Sequence, residues 1–406
     1  MSTVLADTDL LTPLAAYVRL REAGRASFLL ESVEQGRLGR HSFVGYGDRL
    51  LSFDEADGLD APVVGYLGYD HVAALEPTVS LPAEGPSLPE SRFVAVKGLV
   101  RFDHARGTAD VLAGNGDEIS ELLGATHTLE RRPLESHETE RYPAQSEYED
   151  GVRRCQEHIR RGDAFQIVLS QRAVRRTDVS PLALYRALRR VNPSPYLFLL
   201  ELDGIAVVGS SPETLVKREG DVASLNPIAG STVPGEGDAE RLLESEKDCA
   251  EHVMLVDLGR NDLSRVCKAG TVKVVRFMEA ERFSHITHLV SEVRGEVRDD
   301  VSSFDVLRAC FPAGTVSGAP KVRAMQIVSE LEGYRRGPYA GAVLYALPDG
   351  DFDACIAIRS VVLHDGVAYM QAGAGIVADS DPTAEHEECL RKLAAVEAAL
   401  TLAEAG

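Results

Sequence analysis

The apolar runs of this chain fall into clusters joined by tight turns, and its helical stretches lie between clusters instead of between successive strands. A helix after every strand builds a parallel, doubly wound sheet, whereas clustered strands close into hairpins and so into antiparallel sheets. Strand-like runs at 27–32, 42–45, 63–68 and 93–96 form the first cluster. The run 164–170 stands next, then 196–202, 205–209 and 214–218 as a series, and finally 341–346, 354–363 and 367–373. Helical spacing marks a segment carrying Val152, Cys155 and Ile159 that stops at Gly162, and the segments 181–190, 239–258, 303–310, 321–331 and 383–403. The expected fold class is α+β. Residues 76–90 are proline-rich and lack periodicity, which reads as a loop. Residues 131–146 are polar and broken by proline, so the chain divides into an N-terminal region, 1–140, and a larger region, 141–406.

Forty-three Lys and Arg against 63 Asp and Glu leave a formal charge of −20. A chain this acidic repels phosphate backbones, so nucleic acid is not an expected partner. No run of about 18 apolar residues occurs, so no helix is expected to span a membrane. The N-terminus lacks the basic start and apolar stretch of a signal peptide. The six cysteines, at 155, 249, 267, 310, 355 and 389, show no C-x-x-C spacing and no sign of a disulfide framework. The expected compartment is the cytoplasm.

Gly373-Ala-Gly-Ile-Val-Ala378 fits the pattern of a dinucleotide loop, but Asp379, Asp381 and Pro382 follow where the binding helix should begin. The glycines fit better as a strand end that brings backbone N–H groups to a ligand carboxylate. His285 and His288 are three residues apart without a flanking acid, a spacing more often structural than metal-binding. Asp248 with Glu251, and Glu385 with Glu388, each stand three apart on an expected helix, so each pair projects from one face. Acids at that spacing are often merely solvated. Two such pairs facing each other would make an oxygen-rich site of the kind Mg2+ takes. In Phe311-Pro-Ala-Gly-Thr-Val-Ser-Gly-Ala-Pro-Lys321, two glycines, Thr315 and Ser317 precede a helix that begins near Pro320. That is either a plain loop or an anion cradle at a helix N-terminus. Arg359 is the one charge in the apolar run 354–363; buried, it needs a partner, which makes it a candidate carboxylate fork.

Taken together, these segments resemble the chorismate-utilising enzyme family, and within it the first components of anthranilate synthases. The matching blocks are Asp163-Ala-Phe-Gln-Ile-Val-Leu-Ser-Gln-Arg172, Asn192-Pro-Ser-Pro-Tyr196, Gly209-Ser-Ser-Pro-Glu213 and Pro227-Ile-Ala-Gly230. Further blocks are residues 250–262, Ser284-His-Ile-Thr-His288, the 311–321 segment, Arg336-Gly-Pro-Tyr339 and Ala372-Gly-Ala-Gly375. Leu29-Leu-Glu-Ser32 and Gly65-Tyr-Leu-Gly-Tyr-Asp70 match more loosely. The resemblance implies a large chorismate-binding fold with antiparallel sheets packed face to face and helices outside. It implies a reaction in which ammonia adds at C2 of chorismate, the C4 hydroxyl leaves, and loss of pyruvate gives anthranilate.

By motif position, the resemblance implies Glu251 and Glu388 as direct Mg2+ ligands and Asp248 and Glu385 as holders of metal-bound water. Glu213 matches the acid that protonates the departing hydroxyl. The implied substrate pocket consists of Gly230, Ser231, Ser317, Tyr339, Arg359, Gly373, Gly375 and Lys392, with Thr315 lining it and His288 linked to pyruvate elimination. Members that add water at C2 carry a lysine where this chain has Gln166, and members that aminate at C4 carry one where it has Ala229. Ammonia attack at C2 is what remains. No cysteine lies in a Gly-x-Cys-x-Gly elbow, so ammonia is expected from a separate glutamine amidotransferase subunit or from solution, in a homodimer or a heterotetramer. Ser32, Asn192, Pro193, Ser194, Pro195 and Tyr196 match the family's tryptophan feedback pocket. After Gly230 the run Ser231-Thr-Val-Pro-Gly235 departs from the family's Thr-Arg-Pro-Arg-Gly. That departure keeps a second product open: 2-amino-2-deoxyisochorismate, released before pyruvate is lost.

Overall fold

The computed structural model describes residues 3–7, 11–32, 40–125, 133–232, 234–235, 237–282 and 287–406. Among these residues, twelve strands form one sheet and ten form a second, and the strands pair antiparallel. The first runs in the order Thr3–Asp7, Thr108–Ala113, Gly98–Asp103, His41–Gly47, Ala26–Glu31, Tyr196–Leu202, Ile205–Ser211, Ser360–His364, Val367–Ile376, Gln166–Arg176, Gly318–Ala319. The twelfth strand, Glu140–Tyr142, pairs with Gln166–Arg176. The second runs Ile228–Thr232, Thr287–Glu296, Val222–Leu225, Thr214–Glu219, Phe352–Ile356, Ala342–Ala346, Val63–Leu67, Ser91–Ala95, Arg49–Leu51, with Lys273–Arg282 beside Thr287–Glu296. This is the expected α+β class.

Strand side chains alternate between faces. Phe28, Phe198, Leu200 and Val207 of the first sheet therefore meet Val64, Tyr66, Val94 and Val343 of the second in an apolar layer between them. Helices cover the outer faces. Pro13–Leu20, Pro181–Val191 and Pro382–Glu404 lie on the first, where Tyr17, Tyr185 and Leu400 pack on Leu29 and Val208. Glu246–Ser264 and Ser303–Cys310 lie on the second, where Val256 and Leu307 join Val216 and Val293, and Lys321–Glu332 packs on Gln166–Arg176 of the first, where Ile327 and Val328 meet Ile167 and Leu169. Each such side chain, removed from water, contributes about 1.5–3 kcal/mol. Among the described residues, no helix is long and apolar enough to cross a membrane.

Three expectations change. The regions on either side of residue 140 share both sheets: Ala26–Glu31 pairs with Tyr196–Leu202, and Val63–Leu67 with Ala342–Ala346. The polar stretch marks an exposed connection, since residues 133–139 are mostly exposed. The helix expected over 239–258 is two, Asp238–Glu244 and Glu246–Ser264. They part at Ser245, whose backbone is extended and whose Oγ accepts from the Asp248 N–H at 3.3 Å as an N-cap. The single strand expected over 354–363 is also two, Phe352–Ile356 in the second sheet and Ser360–His364 in the first. Arg359, at φ +51°, turns the chain between them. Ile205–Ser211 passes from the first sheet to Thr214–Glu219 in the second through Pro212 and Glu213. The two crossings lie side by side: the Ser210 N–H donates to the Arg359 carbonyl at 3.1 Å, and the Ile356 N–H to the Glu213 carbonyl at 3.0 Å.

Candidate active site

Those paired crossings put a carboxyl and a guanidinium at one end of the sandwich. Glu213 lies within electrostatic reach of Arg359, Lys392 and the Thr315 hydroxyl. Arg359 in turn senses Tyr339, Glu388 and Glu213. None of the described residues forms a hydrogen bond or ion pair with the Arg359 guanidinium. A half-buried arginine left unpaired in this way is a ready fork for a carboxylate.

Two adjacent strands close the floor. Gln166 opens one, and Gly373 and Gly375 lie on its neighbour, opposite Ser170 and Val168. A Cβ on Gly375 would stand 2.8 Å from Gln166 Nε2, and one on Gly373 3.0 Å from the Tyr339 hydroxyl, so glycine at these positions lets both side chains approach the strand without shifting. Gln166 Nε2 donates to Glu251 Oε1 at 2.9 Å. Lys392 Nζ donates to the Gly373 carbonyl at 2.7 Å and pairs with Glu388 at 2.7 Å. The acidic helices are thus each tied to this floor.

The 311–321 segment forms one wall. Gly314–Ser317 is a single helical turn, and Gly318–Ala319 pairs with Gln166 and Ile167. The Ser317 hydroxyl is buried and donates to the Ala313 carbonyl at 2.8 Å, so it holds the turn together. The Thr315 hydroxyl is buried and makes no hydrogen bond of ordinary geometry among the described residues, yet it is near enough to Glu213 to favour that acid's ionised form. On the other side, Gly230 takes φ +65° at a register shift, and a Cβ there would sit 3.1 Å from the Asp248 Cβ. His288 Nδ1 lies 2.8 Å from the Gly230 carbonyl. A carbonyl only accepts, so Nδ1 carries the proton and, in the neutral ring, Nε2 keeps its lone pair. Ser231 is paired with His288 in the strand register. The Ser231 side chain and His285 lie outside the described residues.

Burial pushes the Glu213 carboxyl up to about 7, with Thr315, Lys392 and Arg359 pulling it back. Burial also raises Glu385, helped by the neighbouring charge of Glu388 and opposed by the Ser380 hydroxyl, Lys247 and Lys392. Lys247 belongs to the other acidic helix, so the two helix ends are within electrostatic reach of one another. Among the described residues, no three His, Cys, Asp or Glu side chains are gathered closely enough to hold an ion alone. The two helix ends offer carboxylate oxygens only, from Asp248, Glu251, Glu385 and Glu388. That donor chemistry suits a hard cation such as Mg2+, which keeps water and substrate oxygens in its shell.

A separate cavity of about 280 Å³ lies between the sheets. Ser32, Pro195 and Tyr196 line it; Asn192, Pro193 and Ser194 do not. The Ser32 hydroxyl donates to the Pro195 carbonyl at 3.0 Å. Glu31, Lys217 and Asp353 bring charge to its wall, and burial pushes the Asp353 carboxyl up to about 6. The Tyr196 hydroxyl lies 2.7 Å from Thr214 Oγ1 and donates to Asp353 at 3.2 Å. Thr214 follows Glu213, so one strand start borders both cavity and site. Asp353 and Lys217 were not among the expected residues; Asp353 follows Asp349 and Asp351 at alternate positions just before the apolar run, which gives no sign that it alone is buried. Arg336 stood in a matched block with no role attached.

The sequence matches the family described as chorismate binding enzyme over residues 25–398. It is 44% identical to a probable anthranilate synthase component 1 of Schizosaccharomyces pombe, over 95% of this chain and 89% of that protein. It is 40% identical to the anthranilate synthase component 1 of Thermus thermophilus, over 100% of this chain and 98% of that one. Anthranilate synthase component I from Streptococcus pneumoniae superimposes with a TM-score of 0.81 at 32% identity, covering 96% of this chain and 98% of its own. The menaquinone-specific isochorismate synthase of Escherichia coli also gives 0.81, at 20% identity over 98% and 94%, a likeness of fold. The chain therefore belongs to the chorismate-binding enzyme family, on its anthranilate synthase component 1 branch.

Proposed function

We propose that this chain aminates chorismate at C2 and carries the product on to anthranilate and pyruvate, using ammonia and Mg2+. The observation that carries this reading is the Glu213 carboxyl, held protonated up to about 7 in a recess beside Arg359 and Lys392. As ammonia adds at C2, the ring electrons shift and the C4–O bond breaks, and the leaving oxygen needs a proton. A carboxyl with its pKa near neutrality is suited to give one. The unpaired Arg359 guanidinium, with Lys392 and the backbone at Gly373–Gly375, suits the substrate's carboxylates. Gln166 offers no basic lone pair to activate water, whereas ammonia brings its own. Mg2+, held by Glu251 and Glu388 and through water by Asp248 and Glu385, would supply positive charge for the ring carboxylate. His288, whose Nδ1 is held at 2.8 Å from the Gly230 carbonyl, is assigned the proton taken from C2 when pyruvate leaves.

Ammonia would come from a glutamine amidotransferase subunit in the cytoplasm. The inter-sheet cavity is assigned to tryptophan as feedback ligand. Tryptophan should then lower activity, and Ser32→Phe, which fills the cavity wall, should abolish the effect; an enzyme indifferent to millimolar tryptophan would end this part of the proposal. The second reading is a 2-amino-2-deoxyisochorismate synthase, favoured by the altered sequence of the run 231–235. One incubation with chorismate, Mg2+ and ammonium, at a pH that supplies free ammonia, separates the two. Anthranilate with equal pyruvate supports the full reaction. An aminated product that retains the enolpyruvyl group supports the second reading, and unchanged chorismate refutes both.

A further inference from the structure

Arg336 has no part in the chemistry above, yet it is 4% exposed and uses its guanidinium on three elements of the site. Nη1 donates to the Val316 carbonyl at 2.7 Å, between Thr315 and Ser317. Nη2 donates to the Val168 carbonyl at 2.8 Å, on the strand that Gln166 opens. Nε and Nη2 grip the Glu332 carboxylate at 2.9 and 2.6 Å. Glu332 also accepts from the Ser170 N–H at 2.8 Å. Asp70 accepts from the backbone N–H groups of Arg336 and Gly337, each at 3.1 Å, and so fixes the turn that leads to Tyr339. The guanidinium stands 4.5 Å from the Tyr69 ring centre and 5.7 Å from that of Tyr339.

Taking such an ion pair out of water costs more than a well-packed apolar pair would, so stability alone does not account for it. What a planar fork supplies, and a lysine does not, is several donors at fixed angles. We propose that Arg336 is a positioning residue: through Val316 it sets the Thr315 turn against Glu213, and through its own backbone it sets Tyr339 against Gly373, without touching the substrate. The inference rests on the reading of the site given above.

The test uses the full chain with Arg336→Lys, Thr315→Val and the double variant. Lysine keeps the charge on Glu332 but cannot serve both carbonyls. The lysine variant should melt cooperatively, keep KM for chorismate within about threefold, and lose at least about tenfold in kcat, the scale of a small misplacement. Because both changes act through the same turn, the double variant should be little worse than the poorer single one. Losses that multiply, or a lowered melting temperature with unchanged kcat, would overturn the proposal. If the lysine variant does not fold, Asp70→Asn keeps the guanidinium and loosens only its backbone; it should still lower kcat at unchanged KM, and full activity there counts against the proposal. Hydrogen exchange read over 311–321 is independent of turnover. Selective loss of protection there in R336K supports the hold on the turn, and unchanged protection refutes it. Wild-type protein inert towards chorismate would sink the functional reading itself, and the exchange result would still decide whether Arg336 holds the turn.

Discussion

Glu213 separates stability from function more sharply than any other side chain here. In the folded protein its carboxyl keeps its proton up to about 7, against an ordinary value of 4.5. Between those values the native state binds more protons than the unfolded one, so this group's contribution to stability falls as pH rises through that window and stays lower above it. Glu213→Gln removes the ionisation. The variant should be more resistant than wild type to thermal unfolding above pH 7 and equal to it below pH 4.5. Its kcat should fall by about a hundredfold or more, the usual scale for a lost general acid. A variant that is less stable above neutrality would show that burial is not what raises this group. In the sequence Glu213 stands out only through the family resemblance, whereas spacing alone puts Asp248 with Glu251, and Glu385 with Glu388, on one helix face each. Arg336 was not legible, since nothing in a sequence says that a charge is buried or which carbonyls it meets.

At the scale of elements, the site depends on strands and helices that approach too closely for side chains. Gly375→Ala would place a Cβ 2.8 Å from Gln166 Nε2. Gln166 would have to leave Glu251, which it now holds at 2.9 Å. The expected result is a rise of about tenfold in the Mg2+ concentration needed for half-maximal rate, as when other outer partners of metal ligands are removed. Titrating activity against Mg2+ at saturating chorismate checks this, and an unchanged requirement would mean that the Gln166 contact does not matter to the metal. The longer helices are legible because the 3.6-residue period shows over several turns, whereas the break at Ser245 and the short helix Pro13–Leu20 are not. The run 354–363 misled because an apolar stretch looks the same whether it stays in one sheet or crosses to another. The crossing is made by the backbone of Arg359 at φ +51°, a sign of φ that an arginine does not announce.

For the molecule as a whole, shared sheets make the division at residue 140 one of composition. Residues 141–406 alone would lack Ala26–Glu31 from the middle of the first sheet and Val63–Leu67 from the second. That fragment should be insoluble or unfolded by circular dichroism, and separately supplied 1–140 should restore structure; a fragment that folds cooperatively by itself would refute the shared-sheet account. Strand partners were the least legible feature, because pairing is set by long-range packing and not by local pattern. The same architecture governs the order of events during synthesis. Val63–Leu67 leaves the ribosome long before Ala342–Ala346, the strand it must lie beside. Until then the nascent chain carries strand edges that other chains could capture. Its vulnerable period is therefore translation itself, and slower elongation before residue 346 prolongs that exposure.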